Sequence, residues 1–231
     1  MSPEILRDYS ETVPYQYEDG KASFMGMEIT VDPRVFIPRP ETELLVSVVA
    51  DACREKNLAF PVILDVGTGS GVIPLGITKL IDSCRVIGVD ISHDALDVAT
   101  MNVKAFGREA SISLAKSDMF ASLGDEHLAF FDVIVSNPPY ISHKDYLELD
   151  AWVKAEPRTA LYGGEDGMDY YRILAGEGRA FLCRGGLMAV EVGYDQAKGV
   201  KALFAENGLT DIKGFRDFNG YERVITGWKN G

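Results

Sequence analysis

The ten residues Val62–Gly71, VILDVGTGSG, join a short apolar run to a glycine-rich turn. The next stretch, VIPLGITKLI at 72–81, has the composition and length of a helix. Glycine lets the chain turn tightly after a strand and lets a ligand approach the backbone. A strand, a glycine turn and a helix in this order predict the start of a nucleotide-binding α/β domain. The candidate cofactor-binding residues of the turn are Asp65, Gly67, Thr68, Gly69, Ser70 and Gly71.

The second apolar run, RVIGVD at 85–90, ends in an acidic residue. Asp90 lies 19 residues beyond Gly71, close to the spacing of a carboxylate that binds ribose hydroxyls. Asp90 and the adjacent Ile91 are therefore further candidates for cofactor binding.

The glycine pattern also bears on the kind of cofactor. The dinucleotide fingerprint GxGxxG would require glycine at position 72 or 74, where the chain has Val72 and Pro74. The loop reads DxGxGxG instead, which favours the amino-acid end of S-adenosylmethionine. Asp65 could then orient the methionine ammonium directly or through water. NAD is the alternative cofactor.

Short β-rich runs and helical patterns alternate along the rest of the chain. The alternation implies right-handed βαβ crossovers, and hence a Rossmann-like α/β fold with a mostly parallel, seven-stranded sheet. The last two strands are joined by DFNGY, in which Asn219-Gly220 predicts a hairpin and an antiparallel C-terminal strand. The strands after the first two are predicted at SISLAK, FDVIVS, GLMAVEV, TDIKGFR and ERVITGW.

The region before the glycine loop has a different pattern. Residues 15–35 contain turn signals at Asp19-Gly20 and near Gly26 and predict a small β-hairpin. A helix is predicted to begin at Pro40, because proline suits the first helical position. We therefore divide the chain into an N-terminal segment at 1–40 and a methyltransferase-like domain at 41–231.

A second motif, Asn137-Pro138-Pro139-Tyr140, follows the predicted strand FDVIVS at 131–136. Ligands of open α/β sheets bind at this end of the strands. Proline restricts the preceding residue and cannot donate a backbone hydrogen bond, so the carbonyls keep fixed directions. The side-chain carbonyl of Asn137 and the backbone carbonyl of Pro138 could therefore accept both N–H groups of a planar amide. Tyr140 offers a ring to pack against a flat group.

Such acceptors would promote attack by a nitrogen whose lone pair is delocalised into a carbonyl. A sulfonium methyl donor needs no activation, and the proton can leave after methyl transfer, so no strong general base is required. The motif therefore predicts methyl transfer to a planar nitrogen. A proline corner with a packed tyrosine is the alternative, purely structural interpretation.

The composition argues against several other classes of protein. The chain has 231 residues, a net charge of −12 and a pI near 4.7, which disfavours extended nucleic-acid binding. No apolar run approaches the roughly 18 residues that span a bilayer, and the N-terminus does not resemble a signal peptide. Three widely spaced cysteines and three histidines without metal-ligand spacing predict no metal site and a cytoplasmic location.

Three further stretches, together with NPPY, resemble a family of N-methyltransferases. They are FIPRPETELLV at 36–46, EPRTALYGGEDGMDYYR at 156–172 and FNGYERVITG at 218–227. From about residue 14 onward the chain resembles the HemK/PrmC family of protein-(glutamine-N5) methyltransferases, which act on peptide chain release factors. The resemblance implies a class I enzyme that methylates the glutamine of a Gly-Gly-Gln loop, with S-adenosylhomocysteine as the second product.

The resemblance also implies roles for individual residues. Asp118 and Met119 would contact the adenine, although the family often has an aromatic residue where this chain has Met119. For Arg39 and Glu41, helix capping and surface charge are the structural alternatives to a role in substrate binding. The implied catalytic residues are Asn137, Pro138 and Tyr140, and Asn137 would touch the cofactor as well. The implied substrate-binding residues are Phe36, Arg39, Glu41, Asn137, Pro138, Pro139 and Tyr140, with Pro38 beside them.

The N-terminus differs from the family pattern. Family members usually carry an N-terminal helical domain that helps to grip the release factor, whereas about 13 residues precede the predicted hairpin. We therefore expect a partner subunit or the missing domain to complete substrate docking. Two alternatives stay open: NPPY alone also fits a nucleic-acid adenine or rRNA guanine N-methyltransferase, and the chain could be a non-catalytic cofactor-binding module.

Overall fold

The computed structural model describes residues 12–230. The N-terminal elements are α1 (Tyr15–Asp19), β1 (Lys21–Phe24), β2 (Met27–Thr30) and α2 (Pro40–Glu55). The next elements are β3 (Val62–Val66), α3 (Val72–Leu80), β4 (Arg85–Asp90), α4 (His93–Ala105), β5 (Ile112–Lys116) and β6 (Phe131–Ser136). Then follow α5 (His143–Glu148), α6 (Ala151–Lys154), α7 (Arg158–Leu161), α8 (Asp169–Phe181), β7 (Leu182–Glu191), α9 (Ala197–Glu206), β8 (Leu209–Arg216) and β9 (Glu222–Lys229).

The main sheet has seven strands in the order β5-β4-β3-β6-β7-β9-β8. The pairs from β5 through β7 are parallel, and β9 is antiparallel to both β7 and β8. The predicted mostly parallel sheet with an antiparallel C-terminal strand is therefore confirmed. Because β9 inserts between β7 and β8, the strand at the edge of the sheet is β8.

Alternate residues of the central strands bury their side chains on opposite faces of the sheet, as the two-residue period of a strand requires. Ile63 and Val133 pack with α2, α3, α4 and the β1-β2 hairpin. Leu64 and Ile134 pack with α8 and α9. Burial on both faces explains why β3 and β6 are mostly apolar and lack a regular polar alternation.

The predicted N-terminal hairpin is present, but it is shorter than residues 15–35. Strands β1 and β2 turn at Met25-Gly26, where both residues have positive φ. Gly20, with φ 70°, caps the C-terminal end of α1, so the Asp19-Gly20 signal marks a helix end rather than a hairpin turn. Phe24 and Ile29 are fully buried, so the hairpin belongs to the same apolar core as the neighbouring helices.

Residues 143–161 contain α5, α6 and α7, short helices that the hydrophobic pattern did not predict. The helix predicted from Pro40 is confirmed, with proline at its first position. No helix within residues 12–230 has the length and apolar character needed to cross a membrane.

Candidate active site

A cavity lies at the carboxyl ends of β3, β4 and β6, where open α/β sheets bind ligands. Its wall contains most of the residues that the sequence predicted. From the cofactor set these are Gly67, Thr68, Gly69, Ser70, Asp90, Ile91, Asp118, Met119 and Asn137. From the substrate set they are Phe36, Pro38, Pro138, Pro139 and Tyr140. Asp65, Gly71, Arg39 and Glu41 lie outside the wall.

The glycine loop has the backbone geometry that glycine permits. Gly67 and Gly69 have φ angles of 78° and 55°, in the left-handed region. The backbone N–H groups of Gly67 and Thr68 both donate to the Val89 carbonyl, at 2.8 and 2.9 Å. A Cβ at Gly67 or Gly69 would meet no atom within 4 Å. The missing side chains therefore leave open space along the loop for a ligand.

Asp90 ties the end of β4 to this loop. Its carboxylate accepts from the Gly69 N–H and from the Ser92 N–H, each at 2.9 Å. Burial raises the pKa of the Asp90 carboxyl, and the backbone N–H groups of Ser92, Gly69 and Ile91 oppose this rise. These donors occupy only part of the acceptor capacity of a carboxylate, so lone pairs remain for ligand hydroxyls.

Asp65 is fully buried directly beneath the loop. Neither of its carboxylate oxygens, nor the buried Thr68 hydroxyl, has a hydrogen-bond partner in the described part of the chain. Burial raises the pKa of Asp65 to about 7, the nearby Thr68 lowers it, and Asp90 adds to the rise. A buried carboxylate without a partner is costly, which suits a position that a cationic ligand or a water molecule completes.

The raised pKa of Asp65 leads to a pH-dependent stability. The folded state holds the Asp65 proton more tightly than the unfolded chain does. Protonated Asp65 therefore adds to the unfolding free energy at low pH, and this stabilisation is lost as pH rises from about 4 to about 7. We expect Asp65→Asn to reduce the fall in unfolding free energy between about pH 5 and pH 7 in urea titrations. Asp125→Asn, at an exposed position, should keep the wild-type slope. Equal slopes in the wild type and Asp65→Asn would contradict the assignment.

Asp118 and Met119 lie in a tight turn after β5. Met119 has φ 48°, an uncommon value for a residue other than glycine. The Ser117 hydroxyl donates to the Met119 carbonyl at 2.8 Å and accepts from the Ser122 N–H at 3.0 Å. These bonds hold the turn in the cavity wall. Such strained residues occur at ligand-binding sites.

The NPPY turn is fixed by the segments that follow it. The Gln196 side chain donates to the Tyr140 carbonyl at 2.9 Å and to the Gly167 carbonyl at 3.1 Å. A Cβ at Gly163 would lie 2.7 Å from the Pro139 carbonyl oxygen, so only glycine permits this approach. The stretch after β6 therefore packs tightly behind the turn.

The Asn137 side chain interacts with two buried residues, Thr42 and Glu191. Its Nδ2 donates to the Thr42 hydroxyl at 3.1 Å. Within residues 12–230 no hydrogen bond engages its side-chain oxygen Oδ1. Asn137 therefore has a free acceptor at the cavity wall.

Arg39 and Glu41 lie outside the cavity wall, unlike the other predicted substrate residues. The Arg39 guanidinium forms an ion pair with Glu156 and lies 4.7 Å from the ring centroid of Phe36. The buried Glu156 carboxylate also accepts from the Ile37 N–H at 2.9 Å. Glu41 lies in the first turn of α2. Arg39 thus joins the segment before α2 to the segment after β6, and its role toward a substrate stays a prediction.

Sequence reasoning did not single out Thr42, Glu156, Glu191 or Gln196. Thr42 and Glu191 are each 2% exposed and hydrogen-bond to one another. A detectable signal was present for Glu191, because it is an acidic residue that ends the apolar run GLMAV. The same position in β4, Asp90, was recognised by its spacing from the glycines. Among residues 12–230 no cluster of histidine, cysteine, aspartate and glutamate could hold a metal ion.

The sheet order, the glycine loop and the NPPY turn define a class I methyltransferase. Residues 38–156 match the family model described as Methyltransferase small domain. A methyltransferase from Pyrococcus furiosus has the same fold, with a TM-score of 0.67 at 20% identity, over 94% of this chain and 95% of that one.

Closer relatives identify the family. The chain is 39% identical to the release factor glutamine methyltransferase of Geobacter sulfurreducens, over 93% of this chain and 72% of the relative. The Streptococcus pneumoniae protein of the same name is 40% identical, over 96% and 77%. A release-factor-specific protein-(glutamine-N5) methyltransferase from Alicyclobacillus acidocaldarius matches with a TM-score of 0.51 at 28% identity, over 88% of this chain and 100% of that one. The chain belongs to the release factor glutamine methyltransferase family, which confirms the predicted family.

Proposed function

We propose that this protein transfers a methyl group from S-adenosylmethionine to the side-chain amide nitrogen of a glutamine in a peptide chain release factor. The glutamine is the one in the Gly-Gly-Gln loop. The observation that carries the proposal is the free side-chain oxygen of Asn137 at the wall of the cavity, beside the glycine loop. Family membership supports the same substrate.

The residues around the glycine loop fit S-adenosylmethionine. Asp65 is buried behind the cavity wall, and its unpartnered carboxylate would orient the methionine ammonium directly or through water. The open space beside Gly67 and Gly69 suits the amino-acid end of the cofactor. Asp90 has acceptor capacity left for the ribose hydroxyls, and the turn at Asp118-Met119 would border the adenine. When bound, the cofactor would supply an electrophilic methyl group.

The NPPY turn would hold the glutamine amide. Asn137 Oδ1 and the Pro138 carbonyl are both acceptors, so they suit the two N–H groups of a primary amide. Accepting both N–H groups raises electron density on the nitrogen as it attacks and fixes its line of approach. Attack by the neutral amide nitrogen gives an N-methylated amide cation, which is a strong acid and loses one proton without a dedicated base to give the neutral methylated amide. The ring of Tyr140 forms part of the wall against which the planar amide would pack.

The two alternatives are not favoured. A nucleic-acid N-methyltransferase would share NPPY, but the net charge of −12 opposes binding to phosphate backbones. A non-catalytic cofactor-binding module does not explain a fixed acceptor beside the glycine loop. The cytoplasmic location and the need for a further domain or subunit in docking stay predictions.

A label-transfer assay tests the proposed function. Purified protein is incubated with methyl-labelled S-adenosylmethionine and a release factor, with the same factor carrying Gln→Glu in Gly-Gly-Gln, and with ribosomal RNA. We expect label only on the unmodified release factor. Label on the RNA, or equal label on both forms of the factor, would overturn the proposal.

A further inference from the structure

Behind Asn137 two buried polar side chains form a hydrogen-bonded chain, which we call the Thr42-Glu191 relay. The Thr42 hydroxyl contacts the Glu191 carboxylate oxygen Oε2 at 2.7 Å, and it also contacts Nδ2 of Asn137 at 3.1 Å. Thr42 lies in the first turn of α2 and Glu191 ends β7, so the relay joins three separate segments. Both relay residues are 2% exposed, so water does not compete for these bonds.

The relay has a direction because Thr42 has a single hydroxyl proton. In its ionised form the Glu191 carboxylate can only accept, so Thr42 donates its proton to Glu191 and can only accept from Asn137. Asn137 must therefore present its NH₂ group to Thr42, which turns Oδ1 away from the relay. With the amide flipped, Oδ1 would face the lone pairs of Thr42 and lose this hydrogen bond.

Charged and titratable groups on several elements surround Glu191. Burial raises the pKa of the Glu191 carboxyl to about 7, and Glu41 from α2 adds to the rise. The Thr42 hydroxyl, Arg223 from β9 and Asn137 oppose it. The Tyr171 hydroxyl from α8 donates to the Glu191 backbone carbonyl at 2.9 Å. Burial raises the pKa of the Tyr140 hydroxyl, and the nearby charge of Glu191 adds to this rise. Burying this carboxyl group is costly for the fold, which indicates that it serves the site.

We propose that Thr42 and Glu191 are positioning residues that orient the Asn137 amide so that its oxygen faces the substrate. This inference rests on the proposed function, because it explains why the site would take a primary amide. A substrate group with two N–H donors, the side-chain amide of glutamine, satisfies the fixed acceptors. A carboxylate or a carbonyl at the same place would meet acceptors only and is rejected, since buried polar groups would stay unpaired.

Two substitutions at Thr42 separate the relay from simple packing. Thr42→Val keeps the shape but removes the hydroxyl, so we expect a loss of about tenfold or more in kcat with little change in cofactor Kd. Thr42→Ser keeps the hydroxyl and should recover most of kcat. In the Asn137→Ala background Thr42→Val should cost nothing further, because the residue it positions is gone. Wild-type kcat in Thr42→Val, or the same fold-loss in both backgrounds, would overturn the inference.

A second readout does not depend on turnover. The side-chain NH₂ resonances of Asn137, followed by ¹⁵N NMR of the whole chain, should shift in Thr42→Val and stay near their wild-type positions in Thr42→Ser. Unchanged resonances in Thr42→Val would also overturn the relay. If the wild type methylates no glutamine, the proposed function fails, and the NMR result still decides whether the relay holds Asn137. The two failures are therefore distinguishable.

Discussion

Replacing Asn137 by alanine is expected to lower kcat for glutamine methylation by roughly 10²–10³-fold. The substitution removes the side-chain acceptor that would hold one N–H group of the substrate amide while the nitrogen attacks. The Pro138 carbonyl would remain, so the amide would be held at one point and could rotate away from the line of attack. Single-turnover methylation of a release factor, with cofactor bound beforehand, measures this step directly.

The control for this substitution is Asn207→Ala. Asn207 lies just before the amino end of β8 and does not line the cavity. Its side chain donates to the Leu203 carbonyl at 2.8 Å. We expect wild-type kcat for Asn207→Ala. For Asn137→Ala we expect a much smaller change in cofactor affinity than in kcat. Unchanged turnover in Asn137→Ala would show that the side-chain acceptor does not take part in the chemistry.

Replacing Glu156 by alanine is expected to lower the unfolding free energy by about 3–5 kcal/mol, the usual cost of removing one partner from a buried ion pair. The Glu156 side chain is fully buried, and the Arg39 side chain is 25% exposed. Without the carboxylate, the guanidinium and the Ile37 N–H would lose their acceptor in a largely dry environment. Urea denaturation at constant pH measures the loss.

Two variants distinguish this cost from a general effect of losing charge. Glu156→Gln keeps an acceptor for the Ile37 N–H, so its loss should be smaller. Arg172→Ala removes an ion pair with Asp166 in which both side chains are about half exposed, and we expect a change of about 1 kcal/mol or less. Similar losses in Glu156→Ala and Arg172→Ala would contradict the structural role given to Glu156.

The fold was predictable from the sequence because its signals are local. The glycine loop, the acid that ends β4 and the proline pair after β6 each follow an apolar strand within a few residues. Parallel strands then bring these carboxyl ends to one edge, so most of the predicted residues line one cavity. At Asp19-Gly20 the local signal was ambiguous, because glycine with positive φ ends a helix as readily as it forms a hairpin turn.

The contacts behind the site could not be predicted in this way. Thr42 and Glu191 are 149 residues apart in sequence and meet only because α2 packs beside β7. Arg39 and Glu156 are separated by 117 residues, and the sequence offered only helix capping, surface charge or substrate contact for Arg39. Pairings of this kind depend on tertiary packing, for which the hydrophobic period of a single segment carries no information.

The measurement that tests the proposed function most directly is mass spectrometry of a release factor incubated with this protein and S-adenosylmethionine. We expect the mass of one methyl group on the glutamine of Gly-Gly-Gln, with no modification when Asn137→Ala replaces the wild type over the same time. A release factor that stays unmodified while the wild-type protein binds the cofactor, or a methyl group on any other residue, would contradict the proposed function.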